Sequence, residues 1–234
     1  MDIQFQRAGM LLSNENIEYL NNKKVAIFGI GGVGGYVVEG LVRTGIGHFI
    51  LIDNDEVNIT NLNRQIIATH KSIGKKKVDV AKERILDINP NATVETKEMF
   101  YLPETADELD LSKVDYIVDA IDTVAGKCEI AKRASELNIP AISCMGTGNK
   151  INGENFKITD IYKTKECPLA KAMRNRLRKL GVKKLKVVYS EDVALKPIVS
   201  SQELERTPGS VAWPPSIAGM LVAGEVIKDL IKNK

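Results

Sequence analysis

The chain has 234 residues, 44% of them apolar, which is enough to fill a substantial core and argues against disorder over most of its length. Thirty-three Lys and Arg against thirty Asp and Glu leave a formal charge of +3, so the overall balance selects no partner by itself. Three cysteines, Cys128, Cys144 and Cys167, form no Cys-x-x-Cys pair, which argues against a structural zinc site and against a disulfide framework.

In chain order, the first residues, Asp2 to Arg7, carry an acid and amides where a secretory signal needs a basic stretch and then an apolar run, so a cytoplasmic protein is expected. Residues 24–28 form a β-rich run that ends in glycines and leads into a helical pattern from Val33. A second strand over 49–52 ends at Asp53. Helical spacing through Val78, Ala81, Ile85 and Ile88 predicts a helix over 75–88, stopped by Asn89-Pro90. A third strand over 93–100, a fourth over 116–118 running into Asp119, a helix over 124–137 and a fifth strand over 141–144 continue the alternation. Such alternation predicts an α/β fold with a Rossmann-like, mostly parallel sheet and helices on both faces.

After residue 150 the pattern changes. Asn152-Gly153 followed by residues 156–162 predicts an antiparallel hairpin, or a turn and an edge strand. Pro168 and Gly181 bracket a helix whose Leu169, Met173, Leu177 and Leu180 are expected to bury, leaving Lys171, Arg174 and Arg178 as a basic stripe. Residues 163–186 hold ten basic residues and one acid, +9 locally, which leaves −6 for the rest of a chain whose total is +3. Such a stripe attracts a polyanion such as RNA, and it would attract an acidic protein as well. Residues 217–227 are strongly apolar but span about half a membrane and include Glu225, so a buried terminal helix is expected and no membrane association. No linker composition divides the chain. One domain over 1–234 is expected, with a nucleotide-binding part over 1–150 and a C-terminal elaboration of antiparallel strands and helices over 151–234 that binds substrate.

Gly29-Ile30-Gly31-Gly32-Val33-Gly34 fits G-x-G-x-x-G between a strand and a helix, where glycines let backbone N–H groups approach phosphate oxygens. Asp53 follows at a second strand tip, suited to ribose hydroxyls. Taken alone, these features favour NAD binding and an NAD(P)-dependent oxidoreductase. The sequence downstream changes that reading: Asp53-Asn54-Asp55-Glu56-Val57, then Thr60-Asn61-Leu62-Asn63-Arg64-Gln65, then Gly74-Lys75-Lys76-Lys77, then Asp119-Ala120-Ile121-Asp122. In this order the motifs resemble the adenylation domain of the ubiquitin-activating-like superfamily.

The resemblance implies ATP and Mg²⁺. Gly29, Gly31, Gly32 and Gly34 would form the nucleotide loop, Asp53 would bind the ribose, Asn61, Arg64 and Lys77 would contact phosphates, and Asp122 would hold the metal. It implies a homodimer in which Arg7 reaches the phosphates of the neighbouring subunit's ATP, so that Arg7, Arg64, Lys77 and Asp122 form the catalytic set. The chemistry fits these residue types, because attack on an α-phosphate needs cations around the triphosphate and a carboxylate for Mg²⁺, whereas hydride transfer needs neither.

Beyond residue 150, Thr164-Lys165-Glu166-Cys167-Pro168-Leu169-Ala170, Arg174, Leu177-Arg178-Lys179, Val187-Val188-Tyr189-Ser190-Glu191, Pro208-Gly209-Ser210 and Pro214-Pro215-Ser216 resemble the tRNA threonylcarbamoyladenosine dehydratases within that superfamily. This implies a tRNA substrate whose threonylcarbamoyl carboxylate is adenylated and then cyclised with loss of water, and it leaves room for a sulfur-relay protein partner. Other members activate the C-terminal glycine of a sulfur-carrier or ubiquitin-like protein; many of them carry two Cys-x-x-Cys pairs, absent here. A silent tRNA- or protein-binding adaptor would account for the basic helix but not for the ATP motifs. Cys167 is expected to be structural, and neither His48 nor His70 is assigned a role.

Overall fold

A computed structural model of the chain describes residues 2–196, 198 and 208–234. Among these residues the strands β1 (Lys24–Phe28), β2 (His48–Ile52), β3 (Thr93–Lys97), β4 (Tyr116–Asp119), β5 (Ala141–Cys144), β6 (Phe156–Asp160) and β7 (Lys186–Ser190) form one sheet. Its order is β3-β2-β1-β4-β5-β7-β6, parallel throughout except for the β6–β7 pair. The helices are α1 (Gln6–Leu12), α2 (Asn14–Asn21), α3 (Gly34–Arg43), α4 (Lys77–Ile88), α5 (Val124–Glu136), α6 (Pro168–Lys179) and α7 (Trp213–Lys232).

Both faces of the central strands are covered, which is why their sequences read as continuous apolar runs. Val25, Ile27, Phe49 and Leu51 point into a core shared with α2, α3, α4 and α7. Their neighbours Ala26, Phe28, Ile50 and Ile52 point into a second core with Ile130 and Ala134 of α5. A third cluster joins α5 to α6 through Cys128, Ala131, Met173 and Leu177.

Several boundaries differ from the sequence expectation. The third strand ends at Lys97, and the chain from Glu98 leaves the sheet. β6 is an edge strand paired antiparallel with β7, but α6 intervenes between them, so the Asn152-Gly153 turn opens no tight hairpin. α6 buries Ala170, Met173 and Leu177, whereas Leu180 is 43% exposed. The terminal helix spans 20 residues, well beyond 217–227, and packs against α3 with Ala218, Val222 and Val226 buried. Among the described residues no helix is long and apolar enough to cross a membrane.

Candidate nucleotide-binding site

Strand order reverses between β1 and β4, and the crevice beyond their C-terminal ends is where an open α/β sheet offers room for a ligand. Two glycines shape its floor. Gly29 sits at φ +86°, and a Cβ there would lie 2.7 Å from the Ala120 carbonyl oxygen. At Gly34 a Cβ would lie 1.7 Å from the Gly29 carbonyl oxygen, so any side chain would force the turn open. α3 starts directly behind with no side-chain cap; the N–H groups of Gly35 and Tyr36 donate to the Gly31 and Val33 carbonyls at 3.0 Å each, and the positive end of the helix dipole favours an anion ahead of the turn.

A cavity of about 550 Å³ occupies this crevice. Gly29, Gly31, Gly32, Asp53, Asn61, Arg64, Lys77 and Asp122 all line it, so the structure gathers eight of the sequence-predicted nucleotide residues around one space. Gly34 lies behind the turn and acts through packing. The Asp53 carboxylate accepts hydrogen bonds from the backbone N–H of Ile30 (2.6 Å) and of Asp55 (2.8 Å), which ties the glycine turn to the tip of β2. Burial pushes its pKa above the ordinary value; Lys77 and the two N–H donors pull the other way without cancelling that effect.

The cations come from two further segments. Lys77 opens α4 and is buried, with Nζ 2.6 Å from a carboxylate oxygen of exposed Asp55. A nucleotide phosphate would therefore compete with Asp55 for this ammonium. Arg64 follows a short 3₁₀ turn over Ile59–Asn61 that is closed by a capping box, in which the Asn61 side-chain oxygen accepts the Asn58 N–H at 3.0 Å. Arg64 Nη1 donates to the Thr60 carbonyl (3.0 Å) and to Asn63 Oδ1 (2.7 Å), which leaves the rest of the guanidinium for a ligand.

Asp122 lies in the loop between β4 and α5. It is exposed, has no hydrogen-bond or ion-pair partner among the described residues, and does not occupy the α5 N-cap, which is Thr123. Beneath it a buried network holds the loop. Lys127 Nζ lies 3.1 Å from both Asp119 carboxylate oxygens and donates to the Cys144 carbonyl at 2.8 Å, and Ser143 donates to Asp119 at 2.5 Å. Cys128, Cys144 and Cys167 are all buried, and burial pushes the Cys144 thiol up to about 12.

Among the wall residues to which the sequence reading assigns no role, Gln65 and Tyr101 each leave a buried polar atom without a partner. Gln65 is 7% exposed, lines the cavity and leaves Oε1 without a donor. A buried acceptor of this kind is satisfied when a ligand brings a hydroxyl or amine. Its position beside Arg64 in the motif was the available signal.

The other sequence-predicted residues lie elsewhere. Arg7 is exposed on α1, at the opposite end of the sheet: Phe5 packs near Gly45 ahead of β2, and Gln4 bonds Asn89 ahead of β3. Lys171, Arg174 and Arg178 lie along α6, whose first turn reaches the cavity through Leu169. Lys171 is exposed, Arg178 stacks 5.4 Å over the Tyr162 ring, and Arg174 donates to the Thr164 carbonyl and hydroxyl. Arg174 is thus partly structural. A larger cavity, about 900 Å³, lies at the N-terminal ends of the strands, where Lys23 pairs with Asp115 and Lys186 pairs with Glu225 and Asp229. It contains none of the turn glycines.

A model of the ThiF family matches residues 5–234. The tRNA threonylcarbamoyladenosine dehydratase of Bacillus subtilis is 39% identical over 245 residues, covering 98% of this chain and 95% of that protein. The dehydratase of Escherichia coli is 35% identical over 175 residues, covering 75% and 65%. The crystal structure of E. coli tRNA N6-threonylcarbamoyladenosine dehydratase in complex with AMP superposes with a TM-score of 0.90 at 29% identity, covering 98% of this chain and 94% of that one. The same enzyme in complex with ATP gives 0.88. With the seven-stranded sheet, the glycine turn and the lined crevice in place, these likenesses establish that the chain belongs to the ThiF family.

Proposed function

We propose that the chain is an ATP-dependent tRNA threonylcarbamoyladenosine dehydratase. The observation that carries this is the single cavity at the switch point lined by the glycine turn, Asp53, Asn61, Arg64, Lys77 and Asp122, in a chain similar over 98% of its length to an enzyme of that name. The whole of 1–234 is taken as one adenylation domain, since β6 and β7 extend the sheet that β1 to β5 begin. A cytoplasmic location goes with this reading.

In this reading Asp53 accepts the ribose hydroxyls, the turn and the α3 N-terminus face phosphate oxygens, and Arg64 and Lys77 neutralise the triphosphate. Among the described residues no cluster of three or more His, Cys, Asp and Glu could hold a metal. Mg²⁺ bound mainly through phosphates and water needs only one or two carboxylates, and unpartnered Asp122 suits that role. When bound, the ion draws charge from the departing pyrophosphate. The substrate carboxylate attacks the α-phosphorus, an O–P bond forms, and the bond to the β-phosphate breaks with release of pyrophosphate. The carbamoyl oxygen then attacks the activated carbonyl, a five-membered ring closes as nitrogen loses its proton, and AMP leaves. Both nucleophiles belong to the substrate, so positioning and charge suffice and no cysteine is needed. The burial of all three cysteines fits that. A sulfur-relay partner would meet no exposed thiol on this chain.

The exposed face of α6 is the proposed tRNA surface, with Lys171 and Arg178 on it. Arg7, Met10 and Leu11 share an exposed face of α1, with Met10 and Leu11 82% and 88% exposed, and this face is the proposed dimer contact.

Purified protein incubated with ATP, Mg²⁺ and tRNA carrying threonylcarbamoyladenosine should convert that nucleoside to a product lighter by one water, with AMP and pyrophosphate formed in equal amounts, read by nucleoside mass spectrometry. An unchanged nucleoside, with pyrophosphate released only when a carrier protein is added, would overturn the reading in favour of protein activation.

A further inference from the structure

Asn63 belongs to the Thr60–Gln65 motif, yet the nucleotide reading gives it nothing to do. Its side chain is exposed at the rim of the cavity, and both ends of its amide are engaged. Oδ1 accepts from Arg64 Nη1 at 2.7 Å, and Nδ2 donates to the Ser210 carbonyl at 2.9 Å. The orientation is determined by its neighbours, since a flipped amide would set NH₂ against a guanidinium and oxygen against a carbonyl.

Ser210 lies in a segment that Asn149 holds from the other side. Asn149, at φ +55°, accepts the Gly209 N–H on its side-chain oxygen at 2.6 Å and donates its own N–H to the Gly209 carbonyl at 2.7 Å. Pro208 closes over Gly148, where a Cβ would meet it at 2.9 Å. Pro208 and Ser210 line the same 550 Å³ cavity as Arg64, although they stand about 140 residues later in the chain.

We propose that Asn63 is a positioning residue that couples Arg64 to the Pro208–Ser210 wall, so that seating the C-terminal wall and aiming the guanidinium into the cavity are one event. The proposal rests on the nucleotide reading for what Arg64 is aimed at, but not for the coupling. Asn63 touches no reacting atom; it and the Thr60 carbonyl both hold Nη1, and the other guanidinium nitrogens of this cavity-lining side chain are left for a ligand. The wall thereby gains a hold on the position of a charge, and a chain whose wall is displaced has a less well-aimed Arg64.

Two measurements test this. Hydrogen exchange on the nucleotide-free chain should show the Gly209 amide exchanging several-fold faster in Asn63→Ala than in the parent, and equally fast in Asn63→Asp, which keeps an acceptor for Arg64 but loses the donor to Ser210. An unchanged Gly209 amide in both variants would overturn the coupling. ATP binding by calorimetry should weaken about three- to tenfold in Asn63→Ala. In an Arg64→Ala background the same substitution should have no further effect, because Asn63 acts through Arg64. Additive losses would show an independent contact and sink the positioning role. A parent chain that binds no ATP would instead refute the nucleotide reading, while the exchange measurement would still decide the coupling.

Discussion

Asp53 and Asp122 are both carboxylates at strand tips, and their surroundings give them different work. Asp53 is held by two backbone N–H donors and pushed upward in pKa by burial, so it is a fixed acceptor that shapes the glycine turn as well as facing the cavity. Asp122 is exposed and unpartnered among the described residues, so folding does not depend on its charge. Asp122→Asn is therefore expected to change stability by less than about 0.5 kcal/mol while pyrophosphate release falls by about 100-fold or more. Thermal unfolding and a pyrophosphate assay check both halves; a variant that keeps parental turnover would remove Asp122 from the metal site. This residue-level division was only partly legible in the sequence. The spacing of the motifs shows which residues meet, because the glycine turn and Asp53 stand where strands end and Lys77 where a helix begins, while Asn61 and Arg64 lie at the 3₁₀ turn between β2 and α4. What the spacing does not show is pairing. The Lys77–Asp55 contact, the Arg64–Asn63–Ser210 chain and the unsatisfied Gln65 acceptor depend on segments that approach only once the sheet is assembled.

At the scale of elements, α6 is the case where packing and charge compete for one helix. Its buried face is Ala170, Met173 and Leu177, a narrower stripe than the leucine spacing suggests, because Leu169 is drawn to the nucleotide cavity and Leu180 lies beyond the last helical turn at 43% exposure. Arg174 is consequently turned back onto Thr164, and reversing it would set a carboxylate against a carbonyl. The clean test of the RNA surface leaves Arg174 in place and reverses Lys171, Arg178 and Lys179, which are exposed. Taking three cations away from the RNA phosphates should reduce the salt dependence of tRNA binding by about three in slope and weaken binding by about tenfold or more, with ATP affinity unchanged. Parental tRNA binding in the reversed variant, measured across a salt series, would take α6 out of the RNA site. β1, β2, β4 and β5 were legible as short apolar runs and α3 to α7 as helical apolar patterns, whereas β7 (Lys186–Ser190) was not read as a strand, and β3 buries none of its five residues. α1 was not legible, because it spans only seven residues, Gly9 is its one buried residue, and the inward contacts of Ala8 and Leu12 are outweighed by Met10 and Leu11, which point outward.

That outward face matters for the molecule as a whole. α1 lies at the N-terminal end of the strands and the nucleotide cavity at their C-terminal end, so Arg7 does not reach the cavity of its own chain. If Arg7 serves an active site, a second copy must present it, and the exposed Ile3, Met10 and Leu11 around it supply the apolar surface such a contact would bury. Two inactive variants then separate the possibilities. Arg7→Ala damages the site that its subunit reaches into, and Asp122→Asn damages the site its own subunit holds. In a heterodimer of the two, one site carries both defects and the other carries neither. Equal mixing with full subunit exchange makes about half of the dimers mixed, each with one intact site of two, so activity should return to about a quarter of the parental value. Recovery should follow the kinetics of subunit exchange, and covalently linking each homodimer before mixing should prevent it. A chain that remains monomeric at assay concentration, or mixed dimers that stay inactive, would refute the role of Arg7 across the interface and leave the phosphates to Arg64 and Lys77 alone.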